Sequence, residues 1–390
     1  MPTMPTMHAL AAPTHVDPYP YYASLRAGPP LRFDTELRLW IAARAAVVDE
    51  VLLNPLCRVR PLAEPVPQAI AGSAAGRLFG QLVRMNDGDP HARPKLALQR
   101  ALAAVPLDTV QRYALEAAAT LGVVPGAPLA EALHAASHRL PSQVLARLLG
   151  LDAASWPQLT DWTADFVACL SPLGTPAQLA QASVAAQALR SLFQQSPALA
   201  HSLAARVQQE AEAIGWNQAD ALWANLVGLL SQTYDATAGL IGNSVVALQT
   251  QPGLRDALRA APERMAALVQ EVSRLDPAVQ NTRRFVAEPT RVAGVQLAAG
   301  DTILLLLAAA NRDPALHARP DALELDRAGY RNYGFGHGPH ACPGQALACS
   351  IASAAVQALL PLLDNARLTW HYRPSLNARI PVFSTSKEIP

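Results

Sequence analysis

The sequence predicts a mainly α-helical protein with a small β-rich region. Three observations carry this expectation. Hydrophobic residues fill 51% of the 390 positions and charged residues only 16%, which is enough apolar material for a large core. Alanine and leucine dominate while aromatics are 5%, a mixture that favours helix. Residues 217–251 are apolar on nearly every face, so they form a helix running through an interior.

In chain order, residues 1–16 are rich in proline, threonine and histidine and read as a flexible segment. Residues 18–27 form a short helix stopped by Gly28-Pro29-Pro30. Residues 31–43 alternate apolar and polar side chains, with Leu37, Leu39 and Ile41 on one side, and read as strands. A helix over 44–53 breaks at Asn54-Pro55, and the proline- and glycine-bearing stretch 61–80 reads as an irregular loop with one helical turn. Residues 91–218 are mostly helical between proline and glycine breaks. Asn217 and Asp220 make an N-cap and N3 pair for the long helix, which Pro252-Gly253 ends. Pro262 opens the next helix, and residues 285–309 read as strands turning at Ala299-Gly300-Asp301. Residues 311–331 meander. No repeat, linker or composition shift divides 17–390, so it reads as one domain.

A net charge of +1 points to neither nucleic acid nor an acidic membrane surface. The four cysteines, at 57, 169, 342 and 349, form no C-x-x-C and suit a reducing compartment. The N-terminus lacks an apolar run for a signal or anchor. The stretch 303–310, read as the longest apolar run, is too short to span a bilayer and reads as a buried strand. A cytoplasmic monomer is therefore expected.

The chemistry centres on residues 333–348. A glycine-rich loop leads into Cys342, and an alanine-rich helix expected from Pro343 onwards follows. At a helix N-terminus a thiol is biased towards the thiolate, a good iron ligand. Phe335, Gly336, Gly338, His340, Cys342 and Gly344 fit the spacing Phe-Gly-x-Gly-x-His-x-Cys-x-Gly. This resembles the haem-ligand loop of the cytochrome P450 family. The bland alternative is a surface loop beside a structural cysteine.

The resemblance extends over nearly the whole chain, including Asp17-Pro18-Tyr19 and Asn311-Arg312-Asp313-Pro314. It implies the family's triangular fold, with haem b (iron-protoporphyrin IX) between the long helix and the cysteine loop and Cys342 as the metal ligand. His91, Lys95, Arg284 and His340 would hold the propionates, with Phe335, Gly336, Gly344 and Ala348 also lining the cofactor. Lys95 replaces the usual arginine, keeping the charge and losing the bidentate fork. Glu271 and Arg274 share a helix face. By the resemblance they form a buried pair bracing the cysteine loop; the position of its third partner matches Ala322, so the three-residue network is either incomplete or uses another residue. His134 and His138 also share a face, but no third ligand accompanies them, and a packing role is the expectation.

The long helix departs from the family pattern. The usual alanine-glycine pair is Gln232-Thr233, the acid is Asp235, and the proton-delivering threonine is Ala236. Thr237 lies one residue later, about 100° round the helix. Pro343 removes one amide donor beside the sulfur, which should leave it more electron-rich. The resemblance implies a monooxygenase acting on a small, largely hydrophobic molecule with electrons from a ferredoxin and its reductase; the unusual helix is what suggests a role in natural-product (secondary) metabolism. Residues 60–85 and 166–179 would line the substrate pocket. The altered acid-threonine pair keeps an alternative open: peroxide-driven oxidation, oxidative coupling or cyclisation, or rearrangement, with Gln232 holding a ligand or substrate group. A non-catalytic haem-binding or sensor protein is the second alternative.

Overall fold

The computed structural model describes residues 7–196, 200–329, 331–364 and 367–385. Strands β1 (Leu31–Asp34), β2 (Leu39–Ala42), β3 (Cys57–Arg58), β4 (Thr282–Val286) and β7 (Thr302–Leu305) make a five-stranded sheet in the order β1-β2-β7-β4-β3. The hairpins β5 (Thr290–Val292) with β6 (Val295–Leu297), and β8 (Leu368–Tyr372) with β9 (Pro381–Thr385), are separate. Everything else of regular structure is helical, so the mainly α expectation with a small β region holds.

The first helices are α1 (Tyr19–Ala27), α2 (Ala45–Leu53) and α3 (Ala74–Gln81). The third is a correction, since 61–80 was expected to be irregular. Ser73 accepts a hydrogen bond from the Gly76 amide and caps a full eight-residue helix. Gly76 is there for packing, because a Cβ would stand 2.1 Å from the Ile70 carbonyl oxygen.

Then come α4 (Asp89–Ala103), α5 (Leu107–Thr120), α6 (Leu129–His134), α7 (Leu140–Leu148), α8 (Trp156–Val167), α9 (Pro176–Gln195) and α10 (Leu203–Ala213). The 32-residue α11 (Ala219–Thr250), followed in the chain by α12 (Leu254–Ala260), α13 (Met265–Leu275), the short α14 (Leu307–Ala310) and α15 (Gln345–Leu359), crosses the interior, packed by α7, α8, α9, α13 and α15. Asn217 does not cap it. Gln218 occupies that position without a side-chain bond, and Asp220 pairs with Arg190 at 2.8 Å instead of closing a capping box.

Two further expectations change. The apolar run 303–310 is not one strand: β7 ends at Leu305 and Leu307–Ala310 forms a helical turn. A longer apolar stretch, Gln345–Leu363, has the length and composition to cross a membrane. It packs against α5, α11 and α13, with 56% of its apolar window buried, as a core helix does. The N-terminal segment was expected to be free through residue 16; residues 1–6 lie outside the described residues. Ala9 and Ala12 are fully buried, and Arg379 donates to the carbonyls of Pro13, His15 and Val16.

Candidate active site

The cysteine loop is shaped by its backbone. Gly334 sits so close to α13 that a Cβ would stand 2.3 Å from the Ser273 carbonyl oxygen. Gly336 turns through φ 72°, a left-handed conformation that side chains disfavour. The Gly336 amide donates to the Tyr333 carbonyl (2.8 Å) and the Cys342 amide to the Phe335 carbonyl (2.8 Å), closing the loop on itself.

Cys342 stands differently from the expectation. The helix begins at Gln345 with Gly344 as its cap, so the cysteine precedes the first turn by two residues beyond that cap. Burial raises its thiol above the ordinary value; the Gly344 amide and the Lys95 charge act against this. The Cys342 side chain is nonetheless exposed, although protein atoms crowd it on most sides, the situation of a group on the wall of an internal cleft. Phe335 is half-buried against the core, and Gly344 and Ala348 share the first turn of α15, where the Ala348 amide donates to the Gly344 carbonyl at 2.9 Å.

Four cationic or ionisable groups gather beside this loop. Lys95, only 7% exposed, donates to the Ala341 carbonyl. Arg284, 5% exposed, donates to its neighbour's carbonyl at 2.9 Å and to Thr282 Oγ1 at 3.4 Å. The rings of His91 and His340 lie 4.0 Å apart, and His340 Nε2 meets Asp87 Oδ1 at 3.1 Å. Burial, then the neighbouring His340 and Lys95, hold His91 down to about 4. Among the described residues no carboxylate is within ion-pair distance of Lys95 or Arg284. Two buried cations without an acid are costly unless an anion joins them. Their chemistry fits a planar dianionic cofactor carrying two carboxylates and a metal that accepts sulfur.

Across the molecule, α11 is buried along most of its length but half-exposed over residues 232–236. That break is a full turn of looser packing around the helix. Gln232 turns its amide back onto its own helix, donating to the Gly228 carbonyl at 2.9 Å. Asp235 pairs with Arg373 at 2.6 Å. Ala236 belongs to the half-exposed run, whereas Thr237 is 2% exposed on an unbroken helix. Thr237 is therefore packed out of the position that Ala236 occupies, and no local bulge brings it forward. Behind this turn, His138 stacks at 5.3 Å on His134 and lies 5.0 Å from Tyr234, so the two histidines pack as rings, and no metal-binding cluster occurs among the described residues.

The bracing pair is more complete than its sequence suggests. Arg274 and Glu271 are 0% and 2% exposed and doubly hydrogen-bonded, at 2.7 and 3.0 Å. The third member is Arg327, whose Nε reaches Glu271 Oε1 at 3.0 Å, not the Ala322 side chain. Ala322 contributes only its carbonyl, which accepts from both arginines. Sequence reasoning also missed Asp87 and Arg373. Asp87 lies beside the histidine motif and was findable; Arg373 comes just after β8, far along the chain, and carried no local signal.

Known proteins resemble this chain over most of its length. A family profile described as Cytochrome P450 matches residues 259–362. "Cytochrome P450 144" of Mycobacterium tuberculosis is 31% identical over 358 residues, covering 88% of this chain and 82% of the relative. "Biotin biosynthesis cytochrome P450" of Bacillus subtilis is 26% identical, covering 93% and 94% of the two chains. The solved structure of "Epothilone B-bound Cytochrome P450epoK" superposes with a TM-score of 0.83 at 20% identity, over 96% of this chain and 98% of that one.

Proposed function

This chain belongs to the cytochrome P450 family, and from that premise we propose that it is a cytoplasmic haem-thiolate monooxygenase, inserting oxygen into a small, largely apolar organic molecule with electrons from a ferredoxin and its reductase. The observation that carries the reading is the pairing of an accessible Cys342 with buried cations at Lys95 and Arg284 that have no carboxylate within ion-pair distance among the described residues. Haem b, when bound, supplies iron-centred oxidation chemistry.

The residues of the chain do the rest. Cys342 is the iron ligand, held by the Cys342–Phe335 backbone bond and by the Gly344 amide donating to its sulfur. Lys95, Arg284, His91 and His340 take the propionates, with Asp87 orienting His340. The Glu271–Arg274–Arg327 network holds the strands of chain that flank the loop. In the half-exposed turn 232–236, Asp235 is the acid able to hold or move a proton, and Gln232 offers an amide for hydrogen bonding.

One observation favours the second reading, a non-standard oxidation driven by peroxide or ending in coupling or rearrangement. Ala236 has no hydroxyl, and Thr237 is packed away on a continuous helix. Proton delivery then rests on Asp235 and on groups brought by substrate or solvent.

The test of the core reading is the Soret band of the reduced carbon monoxide complex. A red-shifted thiolate band is expected in the purified protein, and Cys342→Ala must abolish it. Absence of that band in the unaltered protein overturns the reading. Turnover supported by a ferredoxin system or by hydrogen peroxide then separates the two reactions.

A further inference from the structure

Helices α6 and α7 run into one another through a π-helical turn, Ala135–Arg139. A widened turn inside a helix recurs at functional sites. This one packs on α11, and both α6 and α11 pack on β9. Helix, hairpin and α11 thus meet beside residues 234–235, and each brings an ionisable group. His134 ends α6 and is exposed. His138, in the π turn, stacks on it at 5.3 Å and lies 5.0 Å from the Tyr234 ring. Asp235 follows Tyr234 in α11, and Arg373, just after β8, holds its Oδ2 at 2.6 Å.

Two atoms at this junction are left over. His138 Nδ1 and Asp235 Oδ1 are both sealed from solvent, and neither has a hydrogen-bond partner. The His134 carbonyl one turn back acts on the His138 ring without completing a hydrogen bond. Buried polar atoms left unpaired are costly, and a ring N–H and a carboxylate oxygen each supply what the other lacks. Burial, then His134, hold His138 down to about 4, so the ring is neutral at pH 7; the Asp235 charge acts the other way. A neutral imidazole carries a proton on one nitrogen and accepts on the other, so it can pass a proton on as it receives one. The other acids near Tyr234 are Asp161 and Asp165 on α8, and Asp165 is already held by Gln181 at 3.0 Å. The side chains of Asp235 and Arg373 are 32% and 38% exposed, so their pair restrains the acid only weakly.

We propose that His134 and His138 form a proton path from solvent to Asp235. The chemistry calls for one. Inserting oxygen from dioxygen consumes two protons and two electrons and yields product and water; the ferredoxin brings the electrons, and solvent must bring the protons. Ala236 has no hydroxyl and Thr237 is packed away, so Asp235 is the acid of the turn 232–236, and each proton it gives must be replaced. His138 passes a proton to Asp235 and takes one from His134, which takes one from water; all three end as they began. Both histidines act through Asp235, as positioning residues for its proton. This rests on the haem-thiolate, oxygen-driven reading and adds the route its protons take.

The experiment compares two ways of driving the haem-loaded full chain, with thioanisole as probe and its sulfoxide as product. With dioxygen and a ferredoxin system the reaction takes up two protons; with hydrogen peroxide it takes up none. His138→Phe keeps a ring between His134 and Tyr234 but carries no proton. It should retain the carbon monoxide band, lose about tenfold in the reductant-driven rate with a larger solvent deuterium isotope effect, and stay within about twofold in the peroxide-driven rate. His134→Phe, at an exposed position, reads the same split independently of the core and should cost the reductant-driven rate about threefold. A crystal structure of the unaltered protein should show His138 joined to Asp235 directly or through one water. An unchanged reductant-driven rate in both variants overturns the proposal, and so does an equal loss in the two reactions, which marks a packing role. A structure with neither a direct bond nor a bridging water also overturns it. Sulfoxide formed with peroxide and not with the ferredoxin system overturns both the proposal and the oxygen-driven reading, whereas a missing thiolate band in the unaltered protein marks the failure of the haem-thiolate reading itself.

Discussion

Replacing Arg327 by leucine tests the bracing network directly. Arg327 Nε donates to Glu271 Oε1 at 3.0 Å, and its Nη2 donates to the carbonyls of Arg319 (3.0 Å) and Ala322 (2.8 Å). Its side chain is 5% exposed, so water does not replace these bonds. Glu271 keeps Arg274 and the Glu324 amide (3.1 Å), which leaves its charge partly matched. Removing one partner of a fully stranded buried pair costs about 3–5 kcal/mol. With two partners left on Glu271 and some packing kept by leucine, the expected loss is about 2–3 kcal/mol. Equilibrium urea unfolding of the haem-free chain should show a lower midpoint at unchanged slope, read by far-ultraviolet circular dichroism. Ala322→Ser, at the position the family pattern indicates, should change stability by under about 0.5 kcal/mol. A near-neutral Arg327→Leu, or an Ala322→Ser as damaging as it, would refute the network described here.

Three further outcomes are expected. Ala236→Thr restores a hydroxyl facing the half-exposed side of α11 and should raise the product formed per reductant consumed; unchanged or lost product favours the non-standard reaction. Pro343→Leu supplies an amide donor beside the sulfur and should move the haem reduction potential upward in a spectroelectrochemical titration. His138 is held at about 4, mainly by burial and then by His134. Its folded value lies below its unfolded one, so its contribution is full above pH 6.5 and is lost as pH falls towards 4. The full shift corresponds to about 3 kcal/mol, and partial solvent contact reduces this to about 1–2 kcal/mol. The urea midpoint should fall from pH 7 to pH 5, and His138→Asn should flatten that slope.

What the sequence made legible was what depends on local pattern. The apolar wrap of α11, the cysteine-loop spacing and the Glu271–Arg274 pair all lie within a few turns of chain, and each was readable. What escaped was set by distance along the chain. Arg327 replaces the expected partner because the meander folds so that its Nε, not the Ala322 side chain, reaches Glu271. Asp235 finds Arg373, from the far C-terminal part, and no periodicity links the two. The helix α3 was hidden by its glycines, which normally signal a loop but here make room for the Ile70 carbonyl and the Val66 side chain.

The clasp at Arg379 has a consequence for how the chain comes together. This residue, close to the C-terminus, holds the carbonyls of Pro13, His15 and Val16, ion-pairs Asp276 and lies 3.5 Å over the Tyr372 ring. On a ribosome the turn through Pro13 is made 366 residues before the arginine that clasps it. Fastening this edge of the molecule therefore cannot precede the synthesis of Arg379, and a chain shortened before that residue would leave the carbonyls of Pro13, His15 and Val16 without this clasp.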